Sequence, residues 1–276
     1  MSQVPSYGVT AFSDYAGQPG GGKAEQLRVQ GFCVLDAGLS PQALDDLADA
    51  FDQAAVAYRA FIAGAYAPND AERVDPHVVR AMLHWHAAFM ELTFVPSLAT
   101  LLGQVLGNYY ILNQQNGIIN PAHEAYSQSR WHRDFPYQHF VSSRPLGVNA
   151  LFCIDAFTLE NGATHAVAGS HRTEWFPSEE GLDLCETQVT APRGSFIVLD
   201  AMTYHRGGEN RSQTNRRAVN HVFTLPLIKQ QIALPPLLGS AMPADQTRRR
   251  VLGEGLDEPP DIVAYVSRQL AKQGAR

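Results

Sequence analysis

The chain reads as a mainly β protein with flanking helices, a cupin-like jelly-roll barrel carrying a helical buttress. Two observations predict this. Up to about residue 106 apolar residues recur at helical spacing, whereas from Tyr109 onward they gather into short β-rich runs separated by turn residues. A series of short strands divided by turns is what a jelly-roll requires. At 276 residues and 45% hydrophobic content, the chain also has enough apolar material to bury a substantial core as one domain.

Residues 1–23 include Gly17, Gly20, Gly21 and Gly22 among polar neighbours and read as a flexible N-terminal arm or a loosely docked lead-in. Residues 24–276 then form a single domain. A first strand is expected over 31–36, after which Ser40 and Pro41 supply an N-cap and a first-turn proline for a helix through about Tyr58. Leu44, Leu47, Ala48, Phe51 and Ala55 lie on one face of that helix and should pack against the sheet. Helical stretches over 77–89 and 96–106 complete the buttress as core stripes. Strands are expected over 109–119, 147–154, 195–199 and 218–225. Residues 235–260 are rich in proline, glycine and charge, and a final helix is expected over 261–273. Arg248-Arg249-Arg250 reads as a solvated face, with a lid or a subunit contact as alternatives; nothing in the sequence sets the oligomeric state.

Charge and cysteine usage exclude several classes. A net charge of −6 and a pI near 5.9 are opposed to an electrostatic nucleic-acid surface. Cys33, Cys153 and Cys185 are odd in number and widely spaced, so a disulfide framework is not expected and a reducing compartment fits. No basic segment followed by an apolar core opens the chain, and no run approaches the roughly 20 apolar residues of a membrane helix. The expectation is a soluble, cytoplasmic protein with neither nucleic acid nor membrane as partner.

The chemistry concentrates in two segments. His132 and Asp134, separated by one residue, share a face of a strand or its terminal turn, because strand side chains alternate sides. His205 supplies a third donor. Two histidines and one carboxylate occupy three positions around a divalent iron and leave the opposite face open, as a metal that must bind a co-substrate and then dioxygen requires. An iron that activates O₂ needs further electrons, which 2-oxoglutarate can supply by chelating the metal through its keto acid end. Its distal carboxylate then needs an anchor, and the planar guanidinium of Arg216 is the natural one. Arg217 is its rival, since adjacent strand residues face opposite ways.

The surrounding motifs resemble those of the phytanoyl-CoA dioxygenase family of non-haem Fe(II)- and 2-oxoglutarate-dependent oxygenases. They are Trp131-His132-Arg133-Asp134; Glu160-Asn161-Gly162 followed by Gly169-Ser170-His171-Arg172; and Gly194-Ser195-Phe196 running through Asp200, His205, Gly207, Asn210 and Ser212 to Arg216. They occur in order over about residues 24–230. The resemblance implies a double-stranded β-helix, iron ligands at His132, Asp134 and His205, and Arg216 at the distal 2-oxoglutarate carboxylate, leaving Arg217 as a solvated charge. It further implies a dioxygenase that hydroxylates an unactivated C–H bond of a small molecule, releasing succinate and CO₂. Desaturation, epoxidation and rearrangement begin with the same hydrogen abstraction and stay open. Halogenation is disfavoured, because related halogenases carry a small residue where this chain has Asp134. A metal-dependent cupin isomerase or a non-catalytic binding protein on the same scaffold would have no need of Arg216.

Four further groups of residues are candidates. Asn113 and Gln115 share a face and are either contacts to 2-oxoglutarate or substrate, or structural hydrogen-bonding residues. Asn149 and Leu151 share a face on the next strand; Asn149 is a candidate cofactor contact, and Leu151 stands where many relatives carry an aromatic residue. Phe135, Tyr137, His139 and Phe140 follow the two ligands directly and are the substrate-facing candidates, since loops beside a rigid site carry specificity; ordinary rim packing is the alternative. Arg144 pairs with a substrate carboxylate or with a neighbouring acid.

Overall fold

The computed structural model describes residues 15, 17–135, 137 and 139–274. Nine strands follow one another: β1 (Phe32–Asp36), β2 (Val78–Arg80), β3 (Ile111–Asn120), β4 (Gly147–Cys153), β5 (Thr164–Val167), β6 (Glu186–Val189), β7 (Ser195–Asp200), β8 (His205–Arg206) and β9 (Arg216–Thr224). They form a six-stranded sheet in the order β1-β7-β4-β9-β3-β2 and a three-stranded sheet in the order β6-β5-β8, antiparallel throughout. The two sheets pack face to face as a jelly-roll. No strand of one sheet pairs with the other among the described residues, so the expected barrel is an open pair of sheets.

Alternation along each central strand explains why both faces of the larger sheet are buried. Phe196 and Val198 of β7, Val148, Ala150 and Phe152 of β4, and Val219 and Phe223 of β9 meet the helices. Their neighbours Ile197, Leu199 and Ala218 turn the other way and pack with Phe157, Ala166 and Val189 on the side of the smaller sheet. On the helical side Ser40 caps the helix Pro41–Ala65 by accepting from the Ala43 amide at 3.2 Å, and Leu47, Phe51 and Ala54 bury its inner stripe. That helix runs past the expected stop at Tyr58. The helix Pro96–Leu106 lies where its pattern places it.

Three expectations need correction. Residues 77–89 are not one helix: Val78–Arg80 is an edge strand on β3, followed by the short helices Met82–Trp85 and Ala88–Thr93. Val78 faces the inter-sheet core and Val79 the helical core, so this β-branched pair is split between two faces as only a strand allows. The expected arm overlaps a helix, Gly21–Gln30, whose Ala24 and Leu27 are buried; residues 1–14 and 16 of that arm lie outside the described residues. The basic triplet is not a plain solvated face. Arg248 pairs with Glu91 at 2.7 and 3.0 Å, Arg249 pairs with Glu254, and Arg250 donates to the Asn108 carbonyl at 3.3 Å, which ties the C-terminal segment to the body.

His221 has a consequence for stability. It is fully buried between Phe196 and Phe223, its Nδ1 donates to the Ala150 carbonyl at 3.1 Å, and burial pushes its pKa down to about 4. Above an unfolded pKa of about 6.5 both states are neutral and the group contributes no pH dependence. As pH falls below that value the unfolded chain takes up the proton first, so the fold loses stability down to about pH 4, by about 3 kcal/mol in all. Denaturant unfolding at pH 7 and pH 4.5 should show this loss in the natural protein and a shallower one in His221→Leu.

Candidate metal centre and cofactor pocket

His132 and His205 are brought together by the backbone. Each donates its amide to the other's carbonyl at 3.0 Å, an isolated antiparallel pair that puts their rings side by side with centroids 4.4 Å apart. Asp134 follows on the same side, its amide held by the Ala201 carbonyl at 3.0 Å. One donor atom from each of the three lies within 4.8 Å of the others, the only such group of three among the described residues.

The surroundings fix the donors. Nδ1 of His132 donates to the Arg130 carbonyl at 2.8 Å, and Nδ1 of His205 to the Thr203 carbonyl at 2.9 Å. Each ring therefore carries its proton on Nδ1 and turns a bare Nε2 lone pair to the centre. Burial, followed by the neighbouring His205, holds the His132 imidazole below its ordinary pKa and keeps it neutral, as a ligand must be. Asn149 Nδ2 lies 3.2 and 3.1 Å from the two Asp134 oxygens and aims the carboxylate. Two imidazole nitrogens and one carboxylate, joined by no further histidine, cysteine or carboxylate donor among the described residues, fit iron(II) with open positions. Asn149→Leu should weaken iron binding 10- to 100-fold, the usual cost of losing a partner that orients a ligand; competition with a chelator measures it.

Arg216 opens β9 on the inner face, two rows of side chains from Asn220. It is 2% exposed, its Cζ lies 3.7 Å from the centroid of the Phe157 ring, and it donates to the Gly162 carbonyl. Burial pulls its pKa down, yet no carboxylate among the described residues pairs with it, and Nε has no partner. A buried guanidinium left without a counter-charge is costly unless an anion completes it, so the residues fit the distal carboxylate of 2-oxoglutarate. One cavity joins His132, His205, Asn149 and Arg216.

Arg217 faces the other way. It is not a solvated charge: it holds Asp155 through two hydrogen bonds of 2.9 and 3.1 Å and Asp52 through one of 2.7 Å, linking β9 to the helix Pro41–Ala65. Arg133, between the two ligands, stacks on Tyr204 and donates to the Ser170 carbonyl at 2.8 Å, while His171 and Arg172 bond the Arg28 carbonyl near the end of the helix Gly21–Gln30. The Gly169–Arg172 motif is thus a brace behind the metal.

The remaining candidates are not gathered at the metal. Gln115 turns to the helices and donates to the Phe89 carbonyl at 2.8 Å and Thr93 at 2.9 Å; Asn113 sits at a β-bulge and donates to the Lys229 carbonyl at 2.9 Å. The amide nitrogens of both are taken up by these bonds within the fold. Phe135 is buried with Ala201 and Met202, and Phe140, partly buried, packs against that cluster. Tyr137 is 78% exposed, His139 lies 6.0 Å from Trp175, and Arg144 lines a separate cleft beside the helix Pro96–Leu106. Tyr126, Gln128 and Thr164 are further walls of the cavity that no sequence pattern singles out. Asn220 was within reach of it: alternation puts residue 220 on the face of residue 216.

A jelly-roll with one His-Asp-His centre between its sheets is the architecture of the non-haem iron oxygenases. This chain belongs to the phytanoyl-CoA dioxygenase family, whose model matches residues 27–218. It is 34% identical over 204 residues to the uncharacterized protein Mb1539 of Mycobacterium bovis, spanning 68% of this chain and 74% of that one. It is 27% identical over 184 residues to the iron/alpha-ketoglutarate-dependent dioxygenase ausO of Aspergillus calidoustus, covering 62% and 61% of the two. Among solved structures it resembles EctD from S. alaskensis with 2-oxoglutarate and 5-hydroxyectoine, at a TM-score of 0.59 and 20% identity over 74% of this chain and 75% of that one.

Proposed function

We propose that the protein is an Fe(II)- and 2-oxoglutarate-dependent dioxygenase that hydroxylates a C–H bond of a small molecule. The observation that carries this reading is the group of three donor atoms within 4.8 Å, two of whose residues, His132 and His205, line one cavity with a buried guanidinium that has no counter-charge among the described residues. The names and contents of ausO and EctD support it. His132, Asp134 and His205 would hold the iron, Asn149 would orient Asp134, and Arg216 would seat the distal carboxylate. Iron and 2-oxoglutarate, when bound, supply the oxidative decarboxylation that turns dioxygen into an oxidant for C–H bonds. The protein's part is to place the target bond and exclude competing reactions. Asp134 fills the position a halide would need.

Residues 24–276 would act as one catalytic unit. Cys33 and Cys153 are buried free thiols and Cys185 an exposed one, which favours a reducing, cytoplasmic setting. No described helix is long and apolar enough to cross a membrane. The test is incubation with iron(II), 2-oxoglutarate and ascorbate across a metabolite panel, read by mass spectrometry for a gain of one oxygen together with succinate release. Iron binding without any succinate, with or without substrate, would overturn the reading.

A further inference from the structure

Arg216 is held from several sides, and one of its neighbours has no assigned role. Gly162 presents its carbonyl to the guanidinium from a turn fixed by Asn161, whose side chain accepts from the Thr158 amide at 2.8 Å and donates to the Ala156 carbonyl at 2.7 Å. Gly162 has φ +75°, and a side chain there would strike the Gly208 carbonyl at 2.4 Å. Phe157 supports the flat face. Tyr126, 7% exposed, lines the same cavity as Arg216. The phenol O–H is free to donate its proton to an acceptor. Among the described residues that proton has none.

The glycine at 207 belongs to this arrangement. A Cβ there would lie 1.9 Å from the Tyr126 hydroxyl oxygen, so any other residue would evict the phenol. The cavity wall thus offers two donors of different kinds, guanidinium N–H and phenol O–H, and among the described residues neither pairs with a carboxylate. A carboxylate, with two oxygens and about four acceptor sites, matches that pair.

We propose that Tyr126 is a second donor to the distal carboxylate of 2-oxoglutarate, and that Gly207 is a glycine to admit this phenol. The inference rests on the reading that Arg216 anchors 2-oxoglutarate. Anaerobic titration of the iron(II)-loaded protein, followed by its visible charge-transfer absorbance, tests both. The ligands are 2-oxoglutarate and 2-oxopentanoate, which has the same carbon chain without the distal carboxylate. Tyr126→Phe should bind 2-oxoglutarate about tenfold more weakly, the usual loss for one hydrogen bond to a charged group. Its affinity for 2-oxopentanoate and its iron content should not change. Gly207→Ala should reproduce that pattern; if it fails to fold, Tyr126→Phe alone decides. Wild-type affinity for 2-oxoglutarate in Tyr126→Phe, alongside a large loss in Arg216→Ala, overturns the role of Tyr126 and leaves the anchor standing. Equal weakening of both ligands in Tyr126→Phe also overturns it, by showing a merely structural role. No loss in Arg216→Ala removes the anchor, and the proposal with it.

Discussion

Replacing His132, Asp134 or His205 with alanine is expected to reduce bound iron to background and to stop succinate release. The magnitude follows from the count of donors. Three protein ligands would hold the centre, and the described residues contain no second group of histidine, cysteine or carboxylate that could substitute. The histidines are also pre-set, each ring fixed by a backbone carbonyl at 2.8 or 2.9 Å, so losing one removes an oriented donor that water cannot replace with equal strength. Asp134→Ala differs in kind. It leaves both imidazoles in place, strands the Asn149 amide without its acceptor, and opens a coordination position. Iron per chain by elemental analysis and succinate by chromatography, measured on folded variants, check the expectation; near-normal values in any one variant would remove that residue from the centre.

The parts of this molecule legible in its sequence are those whose signal is local. Ser40-Pro41 announces a helix start because capping is decided within four residues, and β7 and β9 announce themselves through runs long enough to alternate. His132 and Asp134 could be paired by strand periodicity alone, and the order of motifs then brought in His205. What the sequence leaves hidden or undecided has a different cause. β5, β6 and β8 have four, four and two residues, too few to show a period, and their pairing is set by distant partners. Polarity in a strand leaves Gln115 open to a pocket or a structural role; the β-bulge between Leu112 and Gln114 and the nearby Phe89 carbonyl favour the second, and neither is visible locally. Phe135 and Phe140 follow the ligands in sequence, yet burying two phenyl rings stabilises the loop more than leaving them at an open rim. Tyr126 lies in a loop without periodicity, and only the fold brings it to Arg216.

Arg216 and Arg217 should separate binding from stability. Arg216→Ala is expected to leave iron affinity nearly intact and to weaken 2-oxoglutarate by about 1.5 to 3 kcal/mol, roughly tenfold or more. Arg216→Lys should recover only part of this, because an ammonium keeps the charge but not the planar fork that Gly162 and Phe157 hold in place. Arg217→Ala should do the reverse. Its side chain points away from the cavity and closes ion pairs with Asp155 and Asp52 across the sheet and helix layers. Removing it leaves Asp155, half-buried, facing no cation. Hydrogen bonds to charged groups are worth roughly 1.5 to 3 kcal/mol, and partial exposure brings the expected loss to the lower end, about 1.5 kcal/mol. Thermal unfolding should then fall by several degrees with 2-oxoglutarate affinity unchanged. Titration of the charge-transfer absorbance and a melting curve on all three variants decide the matter: weakened binding in Arg217→Ala with normal binding in Arg216→Ala would place the other guanidinium in the cavity and shift the register of β9 by one residue.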